Sequence, residues 1–137
     1  MATFISDSAA ETQALGRRLA SDVAPGSVLA LQGELGAGKT QFAKGLVAGL
    51  GSSAEVTSPT FTIVHEYQGG RLTVYHFDFF RLQSRERLTQ LGLDDYFFGG
   101  GVCVVEWADR FPDLIPEQAR WIRFQMQSPE CRVIYTE

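Results

Sequence analysis

Gly33-Glu34-Leu35-Gly36-Ala37-Gly38-Lys39-Thr40 decides how this chain is read. It satisfies G-x-x-x-x-G-K-[ST] at every position, the glycine-rich pattern that wraps a phosphate and leads into a helix. The flanks agree with it. Upstream, Val28 to Leu31 is short and apolar throughout, as a strand covered on both faces reads. Downstream, Phe42, Ala43, Leu46, Val47 and Leu50 recur on one helical face until Gly49-Leu50-Gly51 ends the run. A helix N-terminus has unpaired amides and partial positive charge, and a phosphate answers both. The glycines let the backbone curl around the β-phosphate, Lys39 reaches the β and γ oxygens, and the Thr40 hydroxyl ligates magnesium. Lys39 is also one of only two lysines, with Lys44, among twelve basic residues. The expected ligand is therefore ATP or a close relative, with Mg2+.

Outward from the loop the chain alternates between helical and strand patterns. Ala2 to Ile5 reads as a strand, followed by a helix capped by Ser6 or Ser8, with Ala10, Leu15, Leu19 and Val23 at near-helical spacing until Pro25-Gly26 breaks it. Thr60 to Tyr67 and Arg71 to Phe77 read as two strands joined by a tight hairpin at Gln68-Gly69-Gly70. Ser84 caps a helix running to Leu91, and Leu93 to Phe98 continues as a short helix or turn. After Gly99-Gly100-Gly101, Val102 to Val105 is a second fully apolar strand, ending on Glu106; Arg120 to Gln127 and Arg132 to Thr136 form a closing antiparallel pair. The fold class expected is α/β: one P-loop NTPase-like domain over residues 1–137, with a mixed parallel and antiparallel central sheet flanked by helices.

Composition sets the outer limits. A chain of 137 residues, 45% of them hydrophobic, can bury one core and is too short for two. Ten Phe, four Tyr and two Trp supply large buried areas, so folding without disulfides is expected. The net charge of -4 and the absence of any basic run argue against direct binding to DNA or RNA backbones. Cys103 and Cys131 lie among β-branched and aromatic neighbours, where a thiol acts as a small hydrophobe, and two cysteines make no metal-site spacing. Met1 to Ser8 lacks a basic leader segment, and no run approaches the roughly 18 apolar residues of a membrane span. A cytoplasmic protein without membrane contact is expected.

A magnesium site on such a loop needs a carboxylate from the C-terminal end of a neighbouring strand. Glu106 follows Val102 to Val105 directly and, being a glutamate, can also orient an attacking water. Asp78 ends the strand Leu72 to Phe77 and either approaches the same ion or caps the next turn. Ser58-Pro59-Thr60-Phe61-Thr62 reads equally as a γ-phosphate-sensing switch and as a plain turn. His76 reads as a satisfied or orienting core histidine ahead of a base, Trp107 as a lid on the site or as core, and Arg81 as a surface charge ahead of a phosphate contact. His65 carries no signal.

Gly33 to Thr40, Ser58 to Thr62, Tyr75-His76-Phe77-Asp78 and Val105-Glu106-Trp107, in that order and spacing, resemble the TsaE (YjeE) family over nearly the whole chain. The resemblance implies a small bacterial ATPase serving synthesis of threonylcarbamoyladenosine at the transfer-RNA adenosine that follows the anticodon. It implies that the TsaD and TsaB proteins are its partners and perform the transfer, that ATP hydrolysis resets their complex, and that transfer RNA is met only through it. It places the nucleotide on Gly36, Ala37, Gly38, Lys39, Thr40 and Gln41 and magnesium on Thr40 and Glu106, and it matches Asp78 and Trp107 to positions important for hydrolysis, Trp107 also bordering the nucleotide; with the residue reading, the catalytic candidates are Glu106, Asp78 and Lys39. Around Ser8, Glu11 and Thr12 the chain resembles the part that reaches adenine, and Arg132 is a weaker match of the same kind. Phe80 stands where a tyrosine is usual before Arg81, Gln41 stands where a second threonine is common, and the chain stops soon after its last strand.

Two other functions share the loop. A small-molecule kinase would need an arginine-rich lid, for which Arg81, Arg85 and Arg87 are the only cluster. A regulatory GTPase would need an Asn-Lys-x-Asp element, and lysines at 39 and 44 alone leave none.

Overall fold

Strand β2 (Val28–Gly33) runs through the middle of a seven-stranded sheet. The computed structural model describes residues 2–34, 38–57, 64–80 and 85–137. In chain order the other elements are β1 (Ala2–Ser6), α1 (Ala9–Leu19), α2 (Lys39–Gly49), β3 (Val64–Tyr67), β4 (Val74–Asp78), α3 (Arg85–Leu91), α4 (Leu93–Phe97), β5 (Val102–Glu106), β6 (Arg120–Met126) and β7 (Arg132–Thr136). The strand order is β1-β7-β6-β2-β5-β4-β3, with β6, β2, β5 and β4 parallel to one another and antiparallel pairs at both margins. The mixed sheet flanked by helices is therefore the fold class expected.

Alternation explains why β2 and β5 are apolar along their length. Leu29, Leu31, Val102 and Val104 pack with α1 and α2, whereas Val28, Ala30, Cys103 and Val105 face Leu88, Leu93 and Phe97 of α3 and α4. Each strand has a helical layer on both sides and no solvated face to supply with polar residues.

Helix α1 starts as its sequence requires. Ser8 Oγ accepts the Glu11 amide at 3.1 Å, and Glu11 Oε2 accepts the Asp7 amide at 2.8 Å. The helix ends at Leu19 rather than reaching Val23, which is buried from the turn beyond it. Helices α1 and α2 lie nearly in backbone contact: a Cβ on Gly45 would sit 1.9 Å from the Gln13 carbonyl oxygen, and one on Gly16 2.2 Å from that of Phe42.

The β3–β4 connection differs from the tight hairpin expected. Tyr67 pairs with Val74, so residues 68–73 all belong to the connection and β4 begins three residues later than Arg71. Arg71 is held elsewhere: its amide donates to the Leu50 carbonyl at 2.6 Å, and its guanidinium donates to the carbonyls of Ala20 and Val23. Strand β3 is seen from Val64; residues 58–63, Ser84 and Arg81 lie outside the described residues. Among the described residues no helix is long and apolar enough to cross a membrane.

Candidate active site

The parallel strands bring their C-terminal ends to one edge of the sheet. Leu31 of β2 and Asp78 of β4 are both register partners of Glu106 in β5, so the end of β2 and the carboxylates of adjacent strands come level. Parity does the rest. His76, Asp78 and Glu106 fall on the same sheet face as Val104, the face covered by α2. The carboxylates are 6% and 3% exposed and the histidine is fully buried, so each must be hydrogen-bonded to be tolerated.

Lys39 and Thr40 open α2 immediately above this edge. The helix is entered through Gly38, whose φ of 102° is in the left-handed region that favours glycine. Thr40 Oγ1 lies 3.1 and 3.2 Å from the two oxygens of Glu106 and donates to that carboxylate. Lys39 is buried. Its Nζ donates to the carbonyls of Gly33 at 2.5 Å and Glu34 at 3.0 Å, and stands 4.0 Å from the centre of the Trp107 ring. Burial lowers the proton affinity of this ammonium below the ordinary lysine value, while the nearby charges of Glu106, Asp109, Asp78 and Glu34 raise it.

Asp78 fills the capping role, one of the two readings open in the sequence. Its Oδ1 accepts the Phe80 amide at 2.9 Å, which caps the turn leaving β4, and its carboxylate still lies at the strand end with its charge felt by Lys39. Trp107 is half-buried and adopts φ 59°, the one positive φ of a non-glycine among the described residues. Its ring lies 4.8 Å from that of exposed Phe80 and 4.0 Å from the Lys39 ammonium. The tryptophan is thus a wall of the site.

Thr12 and Arg132 also come to the loop. A Cβ on Gly38 would lie 3.4 Å from Thr12 Cγ2 and 3.9 Å from Arg132 Cδ, although the two residues are 120 positions apart in sequence. The Thr12 hydroxyl is engaged, sharing a 2.7 Å hydrogen bond with Ser6 Oγ and donating to the Ser8 carbonyl. The Arg132 guanidinium donates to the Pro129 carbonyl at 2.9 Å. Gln41 accepts from Gln13 Nε2 at 2.7 Å, tying α2 to α1 through its side chain. Gly36 and Ala37 lie outside the described residues, and Arg85 of the supposed lid is paired with Asp113.

Sequence reasoning missed Tyr67. Its hydroxyl is 3.2 Å from His76 Nδ1, and the other imidazole nitrogen is 2.5 Å from Glu106 Oε2. The two-residue spacing of His76 and Asp78 places the histidine on the acidic face, but nothing local marks Tyr67 as facing it. Among the described residues no three His, Cys, Asp or Glu side chains cluster as a metal cage. A divalent ion at this edge would be held by one hydroxyl and one carboxylate, with the remainder of its oxygens from substrate and water.

Comparison with known proteins adds independent findings. Residues 6–134 match the family model described as "Threonylcarbamoyl adenosine biosynthesis protein TsaE". The chain is similar to the protein named "tRNA threonylcarbamoyladenosine biosynthesis protein TsaE" in Bacillus subtilis (strain 168), with 48% identity over 79% of this chain and 67% of the relative. The protein of that name in Treponema pallidum (strain Nichols) is 47% identical over 82% of this chain and 83% of its own length. Its fold matches the crystal structure of YdiB from Bacillus, with a TM-score of 0.82 and 38% identity over 98% of this chain and 83% of that one.

Proposed function

This chain belongs to the TsaE family of tRNA threonylcarbamoyladenosine biosynthesis, and we propose that its part in that process is the magnesium-dependent hydrolysis of ATP on the loop from Gly33 to Thr40. The observation that carries the reading is the meeting of Thr40 with both oxygens of Glu106 beside the buried ammonium of Lys39. Two hard oxygen donors from different elements fit magnesium, which takes few protein ligands. Held by Thr40 and Glu106, it supplies charge neutralisation on the phosphate oxygens.

The chain's own groups do the rest. Lys39 exchanges the carbonyls of Gly33 and Glu34 for oxygens of the β and γ phosphates, a stronger charge-assisted bond that also restores the proton affinity burial had lowered. The first amides of α2 face the same anion, seated on Gly36, Ala37, Gly38, Thr40 and Gln41. Glu106 orients the attacking water or takes its proton. Asp78 sets the turn at Phe80 and adds negative charge opposite Lys39. Trp107 closes one side, and Thr12 and Arg132, at the α1 side of Gly38, flank the remainder of the nucleotide.

In this reading the TsaD and TsaB proteins are the partners, hydrolysis resets their complex between cycles, and transfer RNA is met only through them. The family name and the net charge of -4, which suits docking on protein better than on a phosphodiester backbone, support it. Glu106→Ala is expected to bind ATP and to lose hydrolysis by about 100-fold or more; turnover equal to wild type removes Glu106 from the mechanism. TsaD and TsaB are expected to co-purify with the tagged chain when ATP is present. Rapid phosphorylation of a metabolite by the chain alone would favour a kinase instead.

A further inference from the structure

The site contains more hydrogen-bonding groups than Thr40 and Glu106. Glu106 is nearly sealed from solvent, and a buried carboxylate held by one hydroxyl can swing about its terminal bond. Here it does not stand alone. His76 in β4 is one diagonal step away on the same face, and its Nε2 contacts Glu106 Oε2 at 2.5 Å, inside fully buried surroundings. Two electronegative atoms at that distance need a proton between them, and Nε2–H opposite a carboxylate provides it.

The far nitrogen of the ring is also served. Tyr67 Oη is 3.2 Å from His76 Nδ1, receives the Thr57 amide at 3.3 Å and faces the Thr57 carbonyl oxygen at 3.0 Å. A hydroxyl both donates and accepts. It therefore satisfies Nδ1 as donor when that nitrogen is bare, and accepts from it when it carries a hydrogen, turning its own proton to Thr57. The result is a continuous chain from Thr57 through Tyr67, His76 and Glu106 to Thr40, crossing β3, β4, β5 and α2.

We propose that His76 is a positioning residue for Glu106, with Tyr67 holding its ring: His76 engages Oε2, which Thr40 also reaches at 3.2 Å, and thereby keeps Oε1, 3.1 Å from Thr40, turned to the metal. The inference rests on the nucleotide-hydrolysis reading for its consequence, but its geometry is testable without nucleotide. Partners that orient a metal-ligating carboxylate are typically worth about 10- to 100-fold in metal affinity or activity.

Two measurements test it. In the metal-free protein, nitrogen-15 NMR of the imidazole is expected to show a slowly exchanging Nε2–H whose resonance moves in Glu106→Ala, and an Nδ1 resonance that moves in Tyr67→Phe. An Nε2 without a proton, or one indifferent to Glu106→Ala, overturns the proposal. The second measurement is kinetic. His76→Leu keeps the bulk but removes the donor, and is expected to raise the Mg2+ concentration needed for half-maximal hydrolysis and lower kcat by about 10-fold or more, with metal-free ATP binding unchanged. His76→Gln, whose amide can still donate to Glu106, is expected to recover most of that loss, and Tyr67→Phe to lose only a few-fold. Equal damage in His76→Leu and His76→Gln, with both folded, assigns the histidine to packing alone and overturns it. If wild type neither binds nor hydrolyses ATP, the hydrolysis reading fails, while the NMR result still decides the geometry.

Discussion

The two faces of the sheet use the same strands for opposite ends. On the α1–α2 side β4 presents His76 and Asp78, and β5 presents Glu106, all buried and all hydrogen-bonded. On the α3–α4 side the alternate residues, Tyr75 and Phe77, join Phe79, Tyr96 and Phe97 in a cluster of edge-to-face and tilted rings 5.0 to 6.5 Å apart. One face holds charge that must be positioned; the other holds aromatic area that holds the strand still. The difference shows how a small domain affords buried polar chemistry: each polar residue of β4 is backed, one position along, by a ring that anchors the backbone beneath it.

Breaking the aromatic side has the largest expected effect. Phe77→Ala removes a fully buried ring and should lower stability by about 3–5 kcal/mol, measured by denaturant unfolding, with ATP affinity retained in the fraction that stays folded. Breaking the polar side gives the reverse pattern. Lys39→Ala should cost about 100- to 1,000-fold in hydrolysis, judged against mutations of charge-stabilising donors elsewhere, while its melting temperature stays near wild type because a buried ammonium is removed with its charge.

A subtler change sits between α1 and α2. Gly45→Ala puts a methyl group into the Gln13 backbone, so α1 has to move, at a cost of about 1–3 kcal/mol. Because Thr12 of α1 borders Gly38, nucleotide affinity should weaken with it, as titration calorimetry would record. The smallest effect concerns Cys103 on the aromatic face, where burial pushes the thiol up to about 12 from 9.0. The folded state keeps a proton that the unfolded state releases. The stabilisation is therefore complete below about pH 9 and is lost as pH rises towards 12. Thiol-labelling at pH 9 should leave Cys103 unmodified until the protein is unfolded.

How much of this was legible in the sequence follows from what is local. The phosphate loop, the apolar strands and the terminal Glu106 are contiguous patterns, and the structure has β2, α2 and β5 where they indicate, residues 35–37 of the loop lying outside the described residues. The meeting of Thr40 with Glu106, and the approach of Thr12 and Arg132 to Gly38, depend on strand order and register, which no window of sequence contains; the loop pattern and the strand end marked Thr40 and Glu106 singly, and the family resemblance supplied Thr12 and Arg132. Tyr67 was read only as a strand residue, and His76 was left between packing and orientation, because their contact is set by the antiparallel register that pairs His65 with His76 and Tyr67 with Val74. Val23 shows the reverse error: its spacing fits a helix and its burial fits a core, yet the backbone had already turned at Ala20.

Lys39 resting against Trp107 makes the loop readable by light. Among the described residues only Trp107, of the two tryptophans, has an ammonium over its ring, 4.0 Å from the centre, and whatever draws Lys39 towards phosphate changes the field that its indole feels. With Trp121→Phe as background, the emission of the remaining tryptophan becomes an internal gauge of where the lysine is, with no dye attached and no turnover required.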